Sequence, residues 1–151
     1  MSKTEQTANF TDAEREAMKA RASEGRAARS RAKKDPAHVR AEGEAEVRAK
    51  LADMPDDDRE LGERLHAMVA EVAPHLVPKT YYGMPAYANE AGKVVCFYKP
   101  RSKFKVRYST FEFDQAAKLD DGAVWPTAYA VTALGDDEIA FLAERVRLAA
   151  S

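Results

Sequence analysis

A chain of 151 residues, 45% of them hydrophobic, is long enough for one domain with a core of useful size. Its 24 basic and 25 acidic residues nearly cancel, which excludes a global attraction to nucleic acid or membrane. The lone cysteine, Cys96, excludes an internal disulfide and a Cys-based structural zinc. No segment reaches the roughly 20 apolar residues that span a bilayer, and MSKTEQTANF is polar where a secretory signal needs an apolar run. A cytoplasmic protein with no membrane partner is expected.

Residues up to Asn9 are polar and expected to fray. Thr11 opens a helix, with Glu14 at the capping-box spacing. The helix is rich in Ala, Arg and Lys, with Met18 its only large apolar residue, and Asp35-Pro36 ends it. From Arg15 to Lys34 basic residues outnumber acidic ones about four to one. Residues 1–35 therefore read as a basic, partly independent helical arm, and residues 36–151 as an α+β domain. A second helix runs from Pro36 to about Ala52, with Gly43 inside it at a cost of about 1 kcal/mol relative to Ala. Pro55 and then Asp56, Asp57 and Asp58 suit the start of a third helix. Leu61, Leu65, Met68, Val69, Val72 and Leu76 recur along that helix at threes and fours, and Pro74 and Pro78 close it.

Gly83 and Pro85 mark a turn into a short strand at Ala86–Ala88, and Asn89–Gly92 is a hairpin loop. Lys93 to Lys99 is a strand with Val94, Cys96 and Tyr98 on one face and Val95 and Phe97 on the other. Lys103 to Phe113 alternates Phe104, Val106 and Tyr108 with Lys103, Lys105 and Arg107, which predicts a half-buried antiparallel strand with a basic outer face. Asp114–Leu119 is placed as a helical turn. Trp125 to Leu134 is the last predicted strand, with Pro126 at its start or edge. Asp136, Asp137 and Glu138 then open a closing helix striped by Ile139, Leu142 and Val146. Strands flanked by helices imply an antiparallel sheet packed against helices.

Three surfaces are candidates for chemistry. Tyr82, Met84, Tyr87, Lys99, Lys103, Lys105, Arg107 and Trp125 form a basic, aromatic strip suited to a small anionic molecule, a protein partner or single-stranded nucleic acid. The plainer alternative is the solvated side of a sheet. Asp56, Asp57, Glu60 and Glu63, with His66 one turn beyond Glu63, are candidates for a cation, against the plainer reading of acidic side chains at a helix start. Arg26, Arg29, Arg31, Lys33 and Lys34 are placed to contact nucleic-acid phosphates without reading sequence. Cys96 alternates with apolar residues and reads as core. No Gly-rich phosphate loop, GxSxG or HExxH occurs, and no enzyme is expected.

The run YYGMPAYANEAGKVVCFY, the segment KFKVRY and the stretch LDDGAVWPTAYAVTAL resemble the small bacterial proteins of the YdhG-like domain family, over about Glu44 to Val146. A subgroup with a basic helical extension in front is the nearer resemblance. The family is largely catalogued as a domain of unknown function and looks related in fold to frataxin. The resemblance implies a compact α+β domain with a flat antiparallel sheet, and a frataxin-like member regarded as an iron chaperone makes iron the implied cofactor. The expected role is non-enzymatic binding or chaperoning of weakly held iron, a small anion or a protein. The alternative is an accessory protein holding nucleic acid through the arm.

Overall fold

The computed structural model describes residues 10–31 and 34–151, so the expected fraying before Asn9 lies outside the described residues. In chain order the elements are α1 (Asp12–Arg31), α2 (Pro36–Ala52), α3 (Asp56–Val72), β1 (Val77–Tyr81), β2 (Met84–Ala88), β3 (Val94–Lys99), the single turn α4 (Arg101–Phe104), β4 (Ser109–Phe113), β5 (Ala128–Val131) and α5 (Asp136–Ala149). The five strands make one antiparallel sheet in the order β1-β2-β3-β4-β5, and the fold is α+β.

The helix starts follow the local chemistry. The Thr11 hydroxyl accepts the Glu14 N–H at 3.1 Å, and Pro36 stands in the first turn of α2. Acidic residues occupy the first turns of α3 and α5, where the helix dipole favours them. The stripe of α3 buries Leu65, Met68 and Val69, but the helix stops at Val72. Leu76 is buried from the turn beyond it, through Leu76 N–H donating to Ala73 O at 3.0 Å.

Cross-strand partners share a face of a sheet. Tyr98, Phe111 and Tyr129 therefore stack side by side, as do Cys96 and Phe113, and with Tyr87 they form the core face covered by α3 and α5. On this side α2 comes so close to β1 that a Cβ on Gly43 would lie 1.9 Å from the Pro78 carbonyl oxygen. A Cβ on Gly62 would likewise fall 2.4 Å from Leu51 Cδ2. The opposite face carries Lys79, Ala86, Phe97 and Glu112 in one row, and α1 lies across its β1–β2 side.

Several expectations are corrected. Strand β1 replaces the expected helix end around Pro78; it is an edge strand, where a residue without an N–H is tolerated. The expected strand from Lys103 begins only at Ser109. Before it, Arg101–Phe104 turns helically because the Asp58 carboxylate accepts the Ser102 N–H at 3.2 Å and Ser109 Oγ accepts that of Arg101 at 2.9 Å. Lys105 then adopts φ 53°, a left-handed helix end that breaks the alternation. The last strand spans Ala128–Val131 alone, leaving Trp125 and Pro126 in the preceding loop.

Helix α1 is docked on the sheet and on α2. Its grip is polar, which explains why a helix with few large apolar residues holds to the domain. Ala17 is buried, Arg21 lies 5.0 Å above the Tyr81 ring, and Arg31 pairs with Glu42 and Glu46 of α2.

Candidate functional site

The site is built on the turn between β1 and β2. Tyr82 and Gly83 take φ values of 51° and 78°, the doubly left-handed pair that matches the twist of a two-residue hairpin. Their two N–H groups point outward together, and both donate to the Glu24 carboxylate of α1 at 2.8 Å. The Lys103 ammonium reaches the Tyr82 carbonyl oxygen at 3.4 Å from the other side. Helix α1 is thereby pinned above the sheet near its middle.

Toward the start of α1 this leaves a cleft of about 370 Å³. Tyr81, Tyr82, Met84, Phe97 and Phe104 wall it from below, and Phe10 and Met18 from above. Tyr81 meets Tyr82 edge-on at 4.8 Å between centroids and Phe97 at 5.4 Å, so the floor is a continuous aromatic surface. The Lys99 and Lys103 ammonium groups stand 5.1 and 5.6 Å from the Phe104 ring centroid. Neither forms an ion pair with a carboxylate among the described residues. Burial, with Lys50 nearby, pulls Lys103 below the ordinary lysine range. Glu112 also lines the cleft, its carboxylate accepting the Thr110 hydroxyl at 2.7 Å. Burial and the neighbouring Asp114 push the Tyr81 phenol up, so it stays a neutral donor.

The structure therefore brings together Tyr82, Met84, Lys99 and Lys103 of the expected strip and scatters the rest. Tyr87 lies on the covered face, its hydroxyl 2.8 Å from His66 Nδ1. Lys105 and Arg107 are exposed in the loop after α4, with Arg107 over the Tyr108 ring at 4.8 Å, and Trp125 sits in the loop before β5. Tyr81, Phe97 and Phe104 were missed as wall residues. Two-residue alternation already puts Phe97 on the same side as Lys99, and that was the available signal.

The expected metal set is not gathered. Asp56 and Glu63 face Arg59 at 3.1 and 3.9 Å, Asp57 faces Arg101 at 3.4 Å, and Glu60 is exposed. His66 turns inward and holds Glu44 Oε1 at 2.8 Å through Nε2. Among the described residues no three His, Cys, Asp or Glu side chains come together to hold a metal ion. Cys96 is fully buried and its thiol is pushed far up by desolvation, as a core cysteine.

The phosphate-contacting set is also depleted. Arg31 and Lys34 pair with Glu42 at 2.9 and 3.0 Å, and Arg31 with Glu46 as well. Arg26 and Arg29 are exposed, and Lys33 lies outside the described residues. Among the described residues no helix is long and apolar enough to cross a membrane. Comparison with protein-family models, curated proteins and solved structures finds no match.

Proposed function

We propose that this is a binding protein whose cleft under the start of α1 takes a small ligand with a flat apolar body and one anionic group. The observation that carries this reading is Lys99, which lines the cleft at the edge of an aromatic floor, with Lys103 beside the Phe104 wall; among the described residues neither is ion-paired to a carboxylate. Rings supply area without much entropy loss, and a lysine in a partly dry setting gains from an anion. Binding, without catalysis, is favoured because the thiol of Cys96 is sealed in the core and the imidazole of His66 is engaged by Glu44 and Tyr87. The iron reading is not carried forward, since its carboxylates face arginines. Of the set expected to meet phosphates, Arg26 and Arg29 are exposed without an ion pair among the described residues, while Arg31 and Lys34 are held by α2.

The test is a calorimetric titration of 1-naphthalenesulfonate into the full chain. Saturable binding is expected, weakened about tenfold by Lys99→Met, since a charge-assisted contact contributes about 1.5–3 kcal/mol. Phe97→Ala should weaken it comparably through lost stacking. Equal affinity in the wild type and both variants, each with an unchanged melting curve, would remove the cleft from consideration.

A further inference from the structure

A second cavity, of about 550 Å³, opens toward the other end of α1, between α1, α2, β1 and the loop after β2. Small apolar residues, including Ala27, Ala28, Val39, Val77 and Ala91, make part of its wall, and Glu24, Arg31, Glu46 and Glu90 stand among them. Lys79 also lines it, from the row of β1 that faces α1.

Lys79 is half-buried, yet it makes no hydrogen bond or ion pair among the described residues. Three carboxylates line the cavity with it: Glu90 stands exposed in the loop after β2, and the other two are engaged elsewhere. Glu24 is held by the Tyr82 and Gly83 N–H groups, and Glu46 by Arg31. Partly removing an ammonium from water is unfavourable unless a counter-charge replaces the lost hydration. Glu24 and Glu46 act on it from a distance, but among the described residues no carboxylate comes within ion-pair distance.

We propose that this cavity binds a small monocarboxylate with an apolar tail, its carboxylate paired with Lys79 and its tail against the alanine and valine walls. One charge suffices. Arg31 is already satisfied by Glu42 and Glu46, and Arg21 is stacked over Tyr81 and Tyr82, so a doubly charged group would find a single free cation. Desolvation, reinforced by Arg21, already draws the Lys79 ammonium below the ordinary lysine range, and a bound anion would oppose that shift. The site is separate from the aromatic cleft and does not depend on it.

Calorimetric titration of sodium octanoate into the full chain tests the proposal. One saturable site is expected, weakened at least tenfold by Lys79→Met and left unchanged by Lys99→Met. Ala27→Phe retains the charge and fills the space, so it should abolish binding even if Lys79→Met lowers the melting temperature. Three results would overturn the proposal: no saturable binding of octanoate to the wild-type chain, undiminished binding to a folded Ala27→Phe variant, or sensitivity to Lys99→Met with none to Lys79→Met.

Discussion

At the scale of single residues, the sharpest constraint is the close approach of α2 to β1. Gly43 lies in a helix interior, where propensity disfavours it, because a Cβ there would fall 1.9 Å from the Pro78 carbonyl oxygen. A backbone atom cannot rotate aside as a side chain can. Gly43→Ala should therefore destabilise the protein by about 1–3 kcal/mol despite the better helix former. Urea denaturation measures this, and a stabilised variant would mean that the two elements stand further apart than described. The His66 imidazole shows a second residue-scale rule: buried between Glu44 and Tyr87, it has a partner for each ring nitrogen. A histidine three residues after a glutamate invites a metal reading from sequence, but its neighbours in space give it a structural role.

At the scale of elements, α1 is held by electrostatics and hydrogen bonds more than by area. One carboxylate, Glu24, satisfies two N–H groups of a strained turn whose first residue is the non-glycine Tyr82. Glu24→Ala should loosen α1 while leaving the sheet intact. Local stability of its amides should fall by about 1.5–3 kcal/mol, the range for hydrogen bonds to a charged group. Hydrogen exchange resolves this element by element; unchanged protection across α1 would show that its docking rests on other contacts. The basic residues expected to meet phosphates belong to the same polar interface, and α2 has already neutralised Arg31 and Lys34.

At the scale of the whole molecule, one sheet face is sealed by helices and the other is partly covered by α1 alone, so stability is uneven. The Glu42 carboxylate is held at about 2, against an ordinary value of 4.5, by the Lys34 ammonium first and the Arg31 guanidinium after it. A carboxylate with a depressed folded-state value stabilises the fold above its unfolded value, and that contribution is lost as pH falls through the folded one. Acidification from about 4.5 toward 2 should therefore weaken the α1–α2 junction before the core opens. Chemical shifts of α1 moving ahead of those of β3 and β4 would bear this out. A single transition shared by all elements would contradict it.

Much of the fold was legible because it rests on local periodicity. The α3 stripe, the Thr11 cap, the Asn89–Gly92 hairpin and the alternating Val94–Lys99 strand each declare themselves within a dozen residues. The candidate cleft was half legible: Tyr82, Met84 and Lys99, with Lys103 beside Phe104, could be named, but not Tyr81, Phe97 and Phe104 as their companions. What failed was decided over distance. Asp58, in another element, helps hold the helical turn Arg101–Phe104 and so takes Lys103 and Phe104 out of the strand that their alternation predicts, and the Pro78 strand exists because β2 offers it an edge. Chain order sets which residues prefer a helix, a strand or a turn. Whether a charge is free or already paired, as Lys79 and Arg31 illustrate, depends on carboxylates brought near only by folding.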